Sequence, residues 1–293
     1  MTRWLTEPAP LRDRPEPVSP GVLRLVAANP GAFTYHGTNT WLVGTTTLAV
    51  IDPGPEDPAH RSRLLEAIGG RRVAAILVTH GHADHWPGAA GLAQATGAKV
   101  LGFASSGSIA DAMEEAGALG FRPDATLAEG DTVDLDGARL RAIHTPGHRF
   151  DHLCFALDGA GVLFTGDHVM GWSSSIVSPP EGDMAACLAS LRRLRGRDDR
   201  LWLPGHGPAI PDPAGFLEMV IGHRETREVA ILEALRRGDR DIAAIVSRVY
   251  AETPPHLHAA AARSVLAHLI ALVADSRVLV EAAPAQTARY RLP

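Results

Sequence analysis

Lysine is nearly missing from this 293-residue chain: Lys99 is the only one, and arginine supplies the rest of the positive charge. Arginine suits bidentate contacts with phosphate or carboxylate, but so general a skew is equally compositional and carries no functional reading by itself. Cysteine is scarce as well. Cys154 and Cys187 form no close CxxC pair, which argues against a disulfide framework and against a thiolate metal site. The formal charge of -5 gives no general attraction to nucleic acid or an anionic membrane. The opening MTRWLTEPAPLRD holds no continuous apolar run of the signal-peptide kind, and no later stretch reads as a convincing bilayer span. A cytoplasmic location with no membrane partner is therefore the expectation.

What is present suits an ordinary globule. A hydrophobic fraction of 45% and a charged fraction of 21%, over this length, allow one large α/β domain or a large domain with a small companion. The most informative stretch is Thr79-His80-Gly81-His82-Ala83-Asp84-His85, which follows the apolar run Val73–Val78. Three imidazoles and a carboxylate within six positions, on a turn at the end of a buried strand, favour a hydrolytic metal centre. The competing explanation, isolated histidines held by hydrogen bonds, suits single histidines rather than such a cluster.

Residues 1–21 contain five prolines and read as an extended arm over the domain. Strand patterns follow at Val22–Val26, Thr40–Val43, Thr47–Ile51 and Val73–Val78, with a helix over Ala59–Ile68 and another from about Trp86-Pro87 to just before Gly97. Further strands fit Val100–Phe103, Arg139–Ile143, His152–Ala156, Val162–Phe164 and Leu201–Leu203, with a helix over Met184–Leu194. The proline-rich stretch Pro208–Pro213 marks a boundary, giving a catalytic domain over 22–212 and a second unit over 213–293. That unit shows three helical segments and a terminal hairpin, the pattern of a winged helix. Its third helix carries His256, His258 and His268 but only Arg263 as a strong base, so DNA reading is disfavoured. Packing on the catalytic domain, support of a homodimer or narrowing of the substrate entrance remain as its roles.

Three more donors sit after apolar segments and beside glycine: His148 in Thr145-Pro146-Gly147-His148, Asp167 in Phe164-Thr165-Gly166-Asp167-His168, and His206 in Pro204-Gly205-His206-Gly207. With these the chain resembles the metallo-beta-lactamase superfamily over roughly residues 22–210. The resemblance implies an αββα sandwich, followed here by the small winged-helix-like unit. It further implies a first metal on His80, His82 and His148, a second on Asp84, His85 and His206, and Asp167 bridging both. Zinc is the default for such donors, and iron or manganese fit the same nitrogen and oxygen set.

Gly37-Thr38-Asn39-Thr40-Trp41-Leu42-Val43-Gly44, the Thr145–His148 context and the terminal helical unit are most similar to the beta-lactamase-like protein 2 group. Two divalent cations would generate a hydroxide nucleophile, with Asp84 and Asp167 as the catalytic carboxylates. The expected activity is hydrolysis of a small acyl ester or thioester. Cleavage of single-stranded RNA and a diiron redox function are the alternatives; the acidic balance weakly disfavours the first, and no flavodoxin-like domain follows to support the second. Around the metals, Asp52 is placed to orient a ligand imidazole or to cap its own turn. His168 reads as a proton donor or as a residue turned away. Tyr35, His36 and Asn39 either border the site or form a surface hairpin, and Met170 and Trp172 either line the pocket or pack its shell. Ser173-Ser174-Ser175 lacks the setting of a nucleophile elbow and reads as structural or substrate-contacting.

Overall fold

The computed structural model describes residues 3–103 and 120–293. Its first sheet has the order β1-β2-β3-β4-β5-β6-β7, built from β1 (Glu16–Ser19), β2 (Val22–Val26), β3 (Asn39–Gly44), β4 (Thr47–Ile51), β5 (Arg72–Leu77), β6 (Val100–Phe103) and β7 (Ala125–Leu127). Strands β1 to β4 pair antiparallel, and β4 to β7 run parallel. The arm expected over 1–21 thus ends in a strand, β1, hydrogen-bonded to β2, and its first two residues lie outside the described residues. Farther along it, the Leu5 amide donates to Gly171 O at 2.9 Å, so the arm also lies across the loop after Asp167.

The second sheet has the order β12-β11-β10-β9-β8, from β8 (Thr132–Leu135), β9 (Ala138–His144), β10 (Leu153–Leu157), β11 (Val162–Gly166) and β12 (Leu201–Pro204). The two sheets face each other. Because successive strand residues point to opposite faces, the fully buried strands split by parity. Trp41, Val43, Ala49 and Ile51 meet Leu153, Phe155, Val162 and Phe164 between the sheets. Leu42, Leu48 and Val50 point the other way, against Leu64 and Ile68 of α1 (Pro58–Ile68) and Leu92 of α2 (Gly88–Thr96). Cys154 and Leu163 likewise back onto Met184, Cys187 and Leu191 of α3 (Met184–Arg193). The result is the expected αββα sandwich.

Aspartate-capped helix starts explain several boundaries. Asp57 accepts from the Ala59 amide and precedes Pro58, whose fixed φ suits a first turn. Asp212 caps α4 (Pro213–Arg236) ahead of Pro213 in the same way, and Asp241 caps α5 (Ile242–Val249). After a short 3-10 turn at Pro255–Leu257, α6 (His258–Ala274) leads to the hairpin β13 (Leu279–Val280) and β14 (Tyr290–Arg291). The stretch Pro255–Ala274 is long and apolar enough to cross a bilayer by length and composition alone. Here its apolar side is used internally. Val265, Leu269 and Leu272 pack with α5 and the second half of α4, while Ala267 joins the core over α3.

Candidate metal centre

Strands β4, β5, β9, β11 and β12 end on one edge of the sandwich, and the loops that follow them carry every expected ligand. Paired strands fix the position of a loop root far better than the loop could itself. Thr38, in the loop before β3, bridges to His206 across this edge, and its hydroxyl donates to Asp84 O at 2.9 Å. Asn39 is buried and donates from Nδ2 to Pro204 O at 2.9 Å and Gly207 O at 3.0 Å, clasping the turn that presents His206. Asn39 therefore borders the site from behind. Tyr35 stacks on Trp172 at 5.1 Å, which joins the same loop to the cavity wall.

The seven residues converge. His80 Nε2 and His148 Nε2 each lie 3.0 Å from His82 Nδ1. His206 Nε2 lies 3.2 Å, and His85 Nε2 3.6 Å, from Asp84 Oδ2. Asp167 stands between the two groups: Oδ2 is 3.7 Å from His148 Nε2, while Oδ1 is 3.6 Å from His85 Nε2 and 3.5 Å from His206 Nε2. Donors about 2.0–2.2 Å from a shared tetrahedral ion stand about 3.3–3.6 Å from each other, so this spacing suits divalent cations.

Hydrogen bonds behind the rings decide which nitrogens face inward. His85 Nδ1 donates to Asp52 Oδ2 at 2.9 Å, His148 Nδ1 to Ile176 O at 2.6 Å and His206 Nδ1 to Gly37 O at 3.2 Å. Thr79 Oγ1 donates to Asp52 Oδ2, leaving its lone pair for His80 Nδ1–H at 3.0 Å. Each opposite Nε2 is thereby left with a bare lone pair. Among the described residues His85 Nε2, His206 Nε2 and Asp167 Oδ1 are buried without a hydrogen-bond partner. Buried lone pairs pointed at one another are unfavourable unless something positive lies between them, and the donor set fits that requirement.

Electrostatics agree. Burial works against charge on Asp84, yet His85 and His206 outweigh it and hold the carboxyl well below its usual range. Asp167 is held low in the same way by His206, His85 and His148. Burial pushes His148 down to about 4, with His82 adding to the effect, and takes His80 well below its usual value, so both are neutral and able to ligate. His85 is the exception: burial lowers it, but Asp84, Asp52 and Asp167 more than reverse this, so a cation has to displace a proton there.

The centre forms the floor of a cavity of about 700 Å³, a size typical of small-molecule sites. Phe33, Met170, Trp172 and Ile176 give it apolar walls, and His256, Ala260 and Arg263 from the C-terminal unit close one side. The unit therefore narrows the entrance. Ser173 and Ser174 line the cavity, whereas Ser175 donates to Asp167 O and is spent on structure. His168 does not line it, and burial pushes its pKa to about 3, which removes it as a proton donor. Cys154 and Cys187 are free and buried, and burial drives the Cys154 thiol up to about 12.

Some supporting residues carry no motif. His152 Nε2 accepts from the Asp167 amide at 3.1 Å and its Nδ1 contacts Thr145 Oγ1 at 2.9 Å, so it braces the Asp167 loop from below. Only its spacing of four from His148 hints at this. Glu181 stands 3.4 Å from His82 Nε2 and pairs with Arg149, which also grips Asp151. Gly205 is required by contact: a Cβ there would sit 2.7 Å from Asp167 Oδ1 and 2.8 Å from His85 Cε1.

Comparisons with known proteins agree with this geometry. Residues 34–206 match the metallo-beta-lactamase superfamily, and residues 242–286 match the beta-lactamase associated winged helix domain. The beta-lactamase-like protein 2 homolog of Drosophila melanogaster is 32% identical over 270 residues, covering 88% of this chain and 90% of that protein. The atrochrysone carboxyl ACP thioesterase AgnL7 of Paecilomyces divaricatus is 31% identical over 246 residues, covering 83% and 73%. Of two other fungal relatives, both lactamase-like proteins, the chain spans only 64% and 60%. A beta-lactamase domain protein from Burkholderia ambifaria has the same fold, with a TM-score of 0.81 at 24% identity, over 97% of this chain and 95% of that one.

Proposed function

We propose, from the premise that this chain belongs to the metallo-beta-lactamase superfamily and is a hydrolase, that it cleaves small acyl thioesters with the help of two divalent cations. The observation that carries this reading is the ring of inward lone pairs, with Asp167 between its two halves, on the floor of an apolar-walled cavity. In this reading His80, His82 and His148 hold one cation, Asp84, His85 and His206 the other, and Asp167 contributes an oxygen to each. Bound there, the cations supply Lewis acidity toward the thioester carbonyl and lower the pKa of water towards neutrality. Zinc is the metal the donor set suits best.

The remaining work falls to the chain. Asp84 faces the cavity and stays ionised, so its carboxylate accepts a hydrogen bond from the attacking water and orients it, with the Thr38 hydroxyl fixing its backbone. Among the described residues both thiols are buried and protonated and the Ser175 hydroxyl is occupied, so none of these three acts as the nucleophile. Phe33, Met170, Trp172 and Ile176 shelter the acyl group from solvent. Relatives named as thioesterases support the choice of thioester over other acyl bonds.

A substrate panel tests the reading. Metal-loaded protein is offered acyl thioesters, oxygen esters and single-stranded RNA, each before and after chelation. Thioester hydrolysis that chelation abolishes, with intact RNA, is the expected result. Metal-dependent RNA cleavage without thioester turnover would reject it.

A further inference from the structure

A second cavity, of about 500 Å³, adjoins the first. Ala32, Phe33, Trp172, Ser173, Ser174 and Ile176 line both, so one elongated ligand can reach from one into the other. The far wall is formed by His223, Arg224 and Arg227 of α4 and by Tyr250, just beyond α5.

Arg224 is only 4% exposed. Its Nη2 donates to Ser175 O, while its Nε is buried without a partner. Among the described residues no carboxylate answers its charge. Glu225 and Glu228, its acidic neighbours on α4, are paired with Arg192 and Arg277, and among the described residues neither Arg224 nor Arg227 makes an ion pair. Nearby titratable groups are neutral: burial first, then the two arginines, push His223 to about 4 and His268 to about 3. Arg227 is held at the wall by donating to Val249 O at 2.8 Å and by lying 4.6 Å over the Tyr250 ring. A buried guanidinium without an anion is costly, and its planar fork matches a carboxylate or a phosphate.

We propose that this second cavity is an anion subsite, in which Arg224 and Arg227 receive a carboxylate or phosphate carried by the substrate while the scissile group lies in the first cavity. The proposal rests on the thioesterase reading for the identity of that group. The anion can lie at the far end of the acyl chain or on the thiol, as in a phosphopantetheine arm. The aromatic lining between the two ends, Phe33 and Trp172, calls for an apolar middle.

Two matched pairs of substrates separate these sources. The first pair is the N-acetylcysteamine thioesters of octanoate and of octanedioate, which differ only in a terminal carboxylate. The second is the octanoyl thioesters of pantetheine and of 4′-phosphopantetheine. The anionic member of one pair is expected to have a kcat/KM about 10- to 100-fold higher, mostly through KM, as one charge-assisted contact gives. The responding pair identifies the acyl or the thiol side. Arg227→Gln should bring that ratio close to one, and Arg227→Lys should keep most of it, whereas a structural role for Arg227 would leave the ratio alone. Arg224→Gln should act similarly, with the Arg227 variants carrying the test if it fails to fold. No preference in either pair, or a preference that survives Arg227→Gln, overturns the proposal. Calorimetric binding of octanedioate and octanoate separates this failure from that of the thioesterase reading. If no thioester is hydrolysed, binding of octanedioate or of 4′-phosphopantetheine that Arg227→Gln weakens still supports the subsite, and no such binding of either rejects it.

Discussion

Asp52 Oδ2 lies 2.9 Å from Nδ1 of His85, and the other oxygen of the same carboxylate accepts the Thr79 amide at 2.8 Å. One buried side chain thus ties the end of β4 to both ends of the histidine run. It does so from a left-handed backbone conformation with φ of 50°. Asparagine tolerates that conformation well, so Asp52→Asn isolates the chemistry from the backbone. Its amide would donate where the carboxylate accepts, turning His85 to the tautomer with Nε2 protonated. Metal affinity and turnover should fall about 10- to 100-fold, as for other residues behind a ligand histidine. Metal content after dialysis and kcat measured at saturating metal check this, and unchanged metal retention would contradict it.

Gly205 offers a steric test of the same centre. Its absent side chain leaves room that a methyl group would take from Asp167 and His85. Gly205→Ala should lose metal and activity by at least as much as Asp52→Asn while the far-UV circular dichroism is unchanged. A fully active variant would mean that Asp167 and His85 are not held where the structure places them.

Stability should fall on mild acidification, through a histidine outside the cluster of donors. His60 is buried, its Nε2 against Thr40 Oγ1 at 2.9 Å, and burial, assisted by Arg63, lowers its pKa to about 4. The unfolded chain takes up this proton from about pH 6.5 downward while the folded chain refuses it until about pH 4. The stabilising contribution is therefore complete above pH 6.5 and is lost between those values, about 2 kcal/mol of it by pH 5. Urea unfolding at pH 7.5 and 5.0 measures the drop. His60→Gln should reduce it by about that amount, and an undiminished drop in the variant would count against the assignment.

The fold was legible because its strands are short apolar runs bounded by glycine and proline. Strand β1 was hidden by its proline: Glu-Pro-Val-Ser has no apolar alternation, and it becomes a strand only by pairing at the sheet edge, where proline is tolerated. At the centre, the run from His80 to His85 announces itself since its members are adjacent in sequence. His148, Asp167 and His206 could be found from their glycine-flanked positions after strands. Their supports could not. His152, Glu181 and Gly205 act through contacts made by other loops, and a sequence records no such distance. Arg224 is the clearest case: on α4 it reads as an ordinary helical arginine, and only packing takes away its solvent and its counter-charge.

Thiol release followed while zinc is titrated into chelated protein is the most direct measurement. Turnover of an acyl thioester should be absent at the start, rise with added metal and level off at two equivalents. Asp167→Asn, which replaces one of the two oxygens that face the two groups of donors, should lower the plateau by more than about 100-fold, exceeding the loss typical of a residue one step behind a metal. Thioester turnover that survives chelation, or an Asp167→Asn plateau equal to that of the parent protein, would contradict a metal-dependent thioesterase.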